Sequence, residues 1–130
     1  MGVENQSTPT KRHRILAIDD DLDLLELLKF RIEKENCEFV TANDGEEGLE
    51  KAKTVLPDLI LCDIKMPRMD GYQFVRELKK EEKTRQIPVI MLTSFEPMRD
   101  LFAVEGIQDY IVKSSDMTTL WKTVSKYLKR

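Results

Sequence analysis

Residues 15–32 read ILAIDDDLDLLELLKFRI. The stretch begins with a four-residue apolar run, and such a run is typical of a strand that is covered on both faces. Three aspartates follow, and after them the apolar residues recur at helical spacing, at Leu24, Leu25, Leu28 and Ile32. The sequence therefore predicts a buried β-strand, an acidic loop and an amphipathic helix in succession.

This pattern of a short apolar run and a longer helical segment recurs along the chain. Strands are predicted at residues 15–18, 39–42, 59–62, 89–92 and 110–112, and a short helix is predicted within residues 97–104. The inner faces of the other helices are predicted at Leu49, Ala52 and Val55, at Phe74, Val75 and Leu78, and at Leu120, Trp121, Val124 and Leu128. Such alternation with right-handed crossovers predicts an α/β fold, a three-layer α/β/α sandwich around a parallel sheet.

The length of the chain favours one domain. Its 130 residues, 41% of them hydrophobic, suffice for one compact core. Residues 1–12 are polar and lack an apolar period, so we expect a disordered tail there and a folded domain over 13–130. Cys37 and Cys62 lie in or beside apolar segments without metal-ligand spacing, which predicts that both are buried as small hydrophobic residues.

Charge and hydropathy narrow the choice of partners. The formal net charge is −3, which gives no reason to expect direct contact with nucleic acid. Apolar runs are strand-sized, far from the roughly 20 residues that a membrane helix needs, and the N-terminus has no signal-peptide core. We therefore expect a soluble, cytoplasmic protein that binds no membrane.

Polar residues stand where the predicted strands end. Aspartates follow the first strand, another aspartate follows the third, Thr93 ends the fourth and Lys113 ends the fifth; the aspartates are Asp19, Asp20, Asp21 and Asp63. In open α/β sheets, sites form beyond the carboxyl ends of the strands. Each residue alone could serve as a helix cap or a strand end, but their clustering at one edge predicts a site.

The residue types at this edge indicate phosphoryl chemistry. Neighbouring carboxylates repel, so a site that keeps them ionised must supply a cation. Oxygen donors without histidine favour Mg²⁺ over zinc. A carboxylate such as Asp63 can act as a nucleophile toward phosphorus, while Lys113 and Thr93 would contact the phosphoryl oxygens.

Four segments resemble the signatures of receiver domains of two-component response regulators. They are ILAIDDD (15–21), DIKMPRMDG (63–71), PVIMLTS (88–94) and YIVK (110–113), in the order found in that family. The resemblance covers about residues 14–128 and implies a flavodoxin-like sheet of order 2-1-3-4-5. It also implies that the chain is a signalling switch that catalyses its own phosphoryl transfer and dephosphorylation, rather than a metabolic enzyme.

The resemblance assigns a role to each site residue. Asp63 would be the phosphoacceptor, and Mg²⁺ would be held by Asp20, Asp63 and the backbone carbonyl of Lys65, with Asp19 acting mainly through water. Lys113 would bind the phosphoryl group. Thr93 and Tyr110 would form the pair that switches conformation.

The resemblance also implies partners. The phosphoryl group would come from a histidine kinase or a phosphotransfer protein, as in a phosphorelay. A downstream protein would bind the face made by the fourth helix, the fifth strand and the fifth helix, and phosphorylation could also drive formation of a homodimer. No output segment follows Arg130, so we expect either a stand-alone regulator or a receiver from a larger protein.

Two features depart from the family pattern. Receivers usually have a proline, joined by a cis bond, after the site lysine, whereas this chain has Ser114. Because a cis bond to a non-proline residue costs about 2.5–4 kcal/mol, we expect the Lys113–Ser114 bond to be trans. The interval from Thr93 to Gly106 also looks one or two residues short, which would curtail the fourth helix.

Three alternatives remain at this stage. A haloacid-dehalogenase-type phosphatase also has Asp-x-Asp after its first strand, but that family expects Gly-Thr where Leu22-Asp23 stands here. A flavodoxin-like flavin carrier shares the fold, but three aspartates would repel the flavin phosphate. The third alternative is a degenerate receiver that only docks on partners.

Overall fold

The computed structural model describes residues 12–94 and 106–128. It contains five strands, β1 (Arg14–Ile18), β2 (Glu38–Ala42), β3 (Leu59–Asp63), β4 (Val89–Thr93) and β5 (Asp109–Val112). They form one parallel sheet of order β2-β1-β3-β4-β5. The predicted fold class and strand order are therefore confirmed, and no predicted strand differs from the observed one by more than a residue at either end.

Four helices lie in the described ranges: α1 (Leu22–Lys34), α2 (Gly45–Val55), α3 (Gly71–Lys79) and α4 (Met117–Tyr127). Each begins after an aspartate whose side chain accepts a hydrogen bond from a backbone N–H of the first turn, at Asp21, Asp44, Asp70 and Asp116. The helix predicted within residues 97–104 lies outside the described residues. None of the described helices is long and apolar enough to span a bilayer.

Two hydrophobic clusters cover the two faces of the sheet. Alternate residues of β1 point to opposite faces: Ile15 and Ala17 pack with α1 and α4, while Leu16 and Ile18 pack with α2 and α3. Cys37 lies in the first cluster and Cys62 in the second, and both are fully buried as predicted. The structure is thus the predicted three-layer sandwich.

The buried face of α2 agrees only in part with the predicted one. Leu49 and Val55 are only half-buried, whereas Gly45, Gly48 and Ala52 face the core. A Cβ on Gly48 would lie 2.5 Å from Cδ1 of Ile18, so the missing side chain lets the helix approach the sheet closely. The prediction is confirmed for Ala52. Leu49 and Val55 are less buried than predicted, although Leu49 still packs against the second cluster.

Candidate functional site

The carboxyl edge of the sheet brings the predicted site residues together. Asp63 and Thr93 are the last residues of β3 and β4, Asp19 directly follows β1, and Lys113 directly follows β5. Two backbone hydrogen bonds extend the ladder past the strand ends, from Ile64 N to Leu92 O at 3.2 Å and from Lys113 N to Thr93 O at 2.7 Å. A cleft of about 250 Å³ opens at this edge, and it is lined by Asp63, Ile64, Lys65, Thr93, Ser94 and Lys113.

Three carboxylates converge beside this cleft. One oxygen from each of Asp19, Asp20 and Asp63 lies within 4.8 Å of the others. Asp19 is fully buried and Asp63 is 6% exposed, whereas Asp20 is exposed. Backbone N–H groups orient the buried pair: Asp21 N donates to Asp19 Oδ1 at 3.0 Å, and Lys65 N donates to Asp63 Oδ1 at 3.3 Å.

The Lys113 ammonium joins the two buried carboxylates. Its Nζ lies 2.9 Å from Asp19 Oδ2 and 3.2 Å from Asp63 Oδ1. The Lys113–Ser114 bond is trans, as predicted, and the side chain still reaches both aspartates. Burial acts to lower the pKa of Lys113, but the two carboxylates outweigh it and raise the pKa above its usual value.

The environment of Asp63 also affects its protonation. Burial raises the pKa of the Asp63 carboxyl, and the charge of Asp19 raises it further. The Lys113 ammonium and the N–H of Lys65 act in the opposite direction without cancelling the increase. A cation near Asp63 and Asp19 would offset both causes, because it favours the ionised form of each carboxyl.

The donors at this site suit magnesium. They are carboxylate oxygens, and one ammonium cannot balance three negative charges. No histidine or cysteine joins the cluster in the described part of the chain. The residues present therefore fit a hard divalent cation that takes oxygen ligands.

Helix α3 packs directly against the backbone of Asp63. Gly71 N donates to Ile64 O at 2.8 Å, and a Cβ on Gly71 would lie only 2.8 Å from the Asp63 carbonyl oxygen. The start of the helix is fixed by a capping box, in which Asp70 accepts from Gln73 N and Gln73 accepts from Asp70 N. Only glycine permits this contact, and the sequence alone did not reveal it.

Thr93 and Tyr110, the predicted switch pair, lie on the same face of the sheet. Tyr110 pairs with Met91 in the ladder, and Met91 shares a face with Thr93 two residues later. The Tyr110 ring is 7% exposed and packs in the second cluster, which also includes Tyr72. Burial and a hydrogen bond with Tyr72 raise the pKa of the Tyr110 phenol well above its usual value. Tyr110 is thus buried in this structure, and its role in switching stays a prediction.

Two residues that line the cleft were not predicted as site residues. Ile64 and Ser94 each follow a predicted site residue, Asp63 and Thr93. Ser94 adds a second hydroxyl to the cleft, directly after Thr93 at the end of β4. Ile64 and Ser94 could have been identified from the sequence, because each directly follows a residue at the end of a strand.

Such a sheet, with an acidic cluster and a lysine at its carboxyl edge, defines a receiver-type α/β domain. The family model for the response regulator receiver domain matches residues 15–125. The chain therefore belongs to the response regulator receiver domain family of two-component signalling. Membership of this family rules out the phosphatase and flavin-carrier alternatives.

Several known proteins resemble this chain. Protein PilH of Pseudomonas aeruginosa is 35% identical over 117 residues, which cover 88% of this chain and 97% of that protein. Chemotaxis protein CheY4 of Vibrio cholerae superimposes with a TM-score of 0.84 at 28% identity, covering 91% of this chain and all of the other. Response regulator TrrA of Thermotoga maritima, solved in complex with Mg²⁺-BeF, gives a TM-score of 0.79 at 34% identity, covering 89% and 99%.

Other curated relatives are longer than this chain. Three of them are described as transcriptional regulators or a transcriptional regulatory protein and are 33–36% identical. The chain spans about half the length of these relatives, 49% of each.

Proposed function

We propose that this chain is a phosphorylation-dependent switch that accepts a phosphoryl group on Asp63 from a histidine kinase or a phosphotransfer protein. The observation that carries the proposal is the contact of the Lys113 ammonium with Asp63 and Asp19 in a cleft bordered by Thr93. Asp63 can be reached by a phosphoryl donor because it lines the cleft. Asp19, the other buried carboxylate of the cluster, has no exposed surface.

The transfer would proceed as follows. A carboxylate oxygen of Asp63 attacks phosphorus, the bond from phosphorus to the donor's leaving group breaks, and the leaving group departs with that electron pair. Asp63 then carries an acyl phosphate. The Lys113 ammonium would neutralise one phosphoryl oxygen, and the Thr93 hydroxyl would donate a hydrogen bond to another.

Magnesium would be held by Asp20, Asp63 and the carbonyl of Lys65, with Asp19 acting mainly through water. When bound, it supplies positive charge that offsets the carboxylates and the phosphoryl oxygens. The acidic cluster supports this assignment, as does the structure of the relative TrrA, which was solved in complex with Mg²⁺-BeF.

Output would pass through a protein partner, without direct contact with nucleic acid or membrane. The proposed face comprises the segment between β4 and β5, β5 itself and α4, and phosphorylation could bring two copies together there. A receiver domain over residues 13–130 would then act in the cytoplasm, either alone or as part of a larger protein. PilH is a relative of similar length to this chain. The receiver domain of a Syntrophus aciditrophicus histidine kinase is an example of a receiver within a larger protein.

The test is incubation of the purified chain with acetyl phosphate and Mg²⁺, followed by intact-mass spectrometry. We expect a single phosphoryl adduct that EDTA prevents and that Asp63→Asn abolishes. Asp23→Asn is the matched control, because Asp23 lies in the first turn of α1 and outside the carboxylate cluster. An equal adduct on Asp63→Asn would refute the assignment of Asp63. No adduct on a folded wild type, even with its cognate kinase, would favour the docking-only alternative.

A further inference from the structure

A second concave surface lies at the opposite, amino edge of the sheet. It is an open groove of about 890 Å³, lined by Val75, Arg76, Lys79, Lys80, Arg85, Gln86, Gly106 and Gln108. We call it the basic groove. Its position is fixed by two hydrogen bonds near the start of β4, from Gln108 N to Val89 O at 2.8 Å and from Lys79 Nζ to Ile87 O at 2.9 Å. None of the described residues lines both this groove and the cleft at Asp63.

The charge of the basic groove is opposite to that of the whole chain. Among the residues that the structure describes, four of those lining the groove are cationic and none is acidic, although the net charge of the chain is −3. Among the described residues, no carboxylate lies within ion-pair distance of Arg76, Lys79 or Arg85. Lys80 pairs with Glu77 at 3.0 Å on the exposed surface of α3, where such a pair contributes little. An anionic partner would therefore meet cations that are not already neutralised.

Hydrogen bonds fix the Lys79 ammonium and order the loop that carries Arg85. Lys79 Nζ donates to the carbonyls of Arg85 and Ile87, at 2.8 and 2.9 Å, which ties α3 to the following loop. The buried Thr84 hydroxyl donates to Leu78 O at 2.7 Å, and Arg85 N donates to Glu81 O at 2.9 Å. Because the loop is already ordered by these bonds, binding would lose less conformational entropy than at a mobile loop.

Gly106 forms one wall of the groove by lying close to α3. Its φ is +93°, and a Cβ there would lie 2.9 Å from Cγ1 of Val75 and 3.2 Å from Cε of Lys79. Burial also lowers the pKa of Lys79, so a nearby anion would favour its charged form. Because the ammonium is half-buried, water screens its attraction to a bound carboxylate less than it would at an open surface.

From this surface we infer that the basic groove binds an acidic segment of a partner protein, rich in aspartate or glutamate. Its unneutralised cations complement the charge of such a segment, and the groove is open to solvent. The described residues that line the groove include no aromatic ring on which a nucleic-acid base could stack. The inference is independent of the phosphoryl site, because the two surfaces lie at opposite edges of the sheet.

The probe is a fluorescein-labelled peptide of alternating glutamate and serine, with a glutamine-for-glutamate peptide as the uncharged control. Binding to the full chain is measured by fluorescence anisotropy at several salt concentrations, and the site is mapped by ¹⁵N chemical shifts. We expect salt-sensitive binding of the acidic peptide alone, with shifts at Arg76, Lys79, Arg85, Gly106 and Gln108. Shifts spread over lysines on all faces, or equal binding of the glutamine peptide, would overturn the inference.

Charge-removing variants sharpen the test. Arg76→Gln and Arg85→Gln should each weaken peptide binding by about two- to five-fold, as expected for one exposed ion pair. The double variant Lys122→Gln/Lys126→Gln removes two exposed positive charges from α4, outside the groove, and should leave affinity within experimental error. An equal loss in that control, or tighter binding of a single-stranded oligonucleotide at the same residues, would refute an acidic protein segment as the ligand.

Discussion

The ammonium of Lys113 lies 2.9 Å from a carboxylate oxygen of Asp19, a residue with no exposed surface. Burying an ionised carboxylate is costly unless a partner compensates its charge. The contact therefore contributes to stability as well as to the site. It also brings the β5 end of the sheet into contact with the loop after β1, on the far side of β3 and β4.

The first prediction concerns removal of this ammonium. Lys113→Met should lower the free energy of unfolding in EDTA by about 1–3 kcal/mol, because Asp19 would be left buried without its partner. Combining it with Asp19→Asn should cost less than the sum of the two single changes. Urea denaturation of the four proteins in this double-mutant cycle measures the coupling, and simple additivity would contradict the proposed interaction.

The second prediction concerns Asp20, the exposed member of the carboxylate cluster. Asp20→Asn should raise the free energy of unfolding in EDTA by a few tenths to about 1 kcal/mol, because it relieves repulsion from Asp19 and Asp63. The same change should remove most of the stabilisation that Mg²⁺ gives the wild type. Function and stability are thus opposed at this residue.

Chemical denaturation with and without Mg²⁺ checks the Asp20 prediction. Asp23→Asn is the matched control: it removes the same charge from the first turn of α1, where a negative charge is favourable. That control should be neutral or slightly destabilising in EDTA and should keep the response to Mg²⁺. A lower midpoint for Asp20→Asn in EDTA, at an unchanged slope, would refute the repulsion argument.

The third prediction concerns the contact between Gly71 and the Asp63 backbone. Gly71→Ala should lower the free energy of unfolding by roughly 1–3 kcal/mol, because its Cβ would meet the Asp63 carbonyl oxygen at 2.8 Å. A glycine-to-alanine change in a helix is otherwise stabilising, so the sign of the effect is diagnostic. The displacement of Asp63 should also slow phosphorylation by acetyl phosphate.

Gln73→Ala provides the control for Gly71→Ala. It removes the hydrogen bond from Asp70 N to the Gln73 side chain and so weakens the same helix start without touching Asp63. We expect this variant to lose stability yet to be phosphorylated at the wild-type rate. If both variants slow phosphorylation equally, the effect is one of helix stability and the specific contact is irrelevant.

The location of the site could be predicted from sequence because it follows from topology. Once β1, β3, β4 and β5 are assigned to a parallel sheet, their carboxyl ends must share an edge, and Asp19, Asp63, Thr93 and Lys113 come together. The buried faces of α1 and α3 also followed from periodicity. To predict which strand ends meet, only the type and direction of each element must be known, and apolar patterns indicate the element types.

Close contacts and individual side-chain partners could not be predicted in this way. Asp44 and Glu47 have the residue types and spacing of a capping box, but Glu47 accepts a hydrogen bond from Asn43 N, one residue before the cap. The reciprocal box forms instead at Asp70 and Gln73. Such details depend on the entry angle of the chain into each helix, which residue types alone do not specify.

The last prediction concerns the coupling of Asp63 to the output face. A phosphoryl group on Asp63 presents new acceptor oxygens, and the Thr93 hydroxyl would move toward them to form a hydrogen bond of about 2.7 Å. Tyr110 lies on the same face of the sheet as Thr93 and is buried beside Tyr72. Movement of Thr93 would therefore change the relative populations of the Tyr110 side-chain conformations, and so alter the face made by β5 and α4.

Beryllofluoride with Mg²⁺, a mimic of the phosphoryl group, allows the coupling to be measured by NMR. In the wild type we expect shifts that extend from the aspartates across residues 97–113. Thr93→Ala should still bind the mimic but should lose most of the shifts remote from Asp63, because the connecting hydroxyl is absent. Ser94→Ala, which removes the neighbouring cleft hydroxyl, should keep them. Wild-type shifts confined to the carboxylate cluster would leave Asp63 as the phosphoacceptor but exclude Tyr110 from the output mechanism.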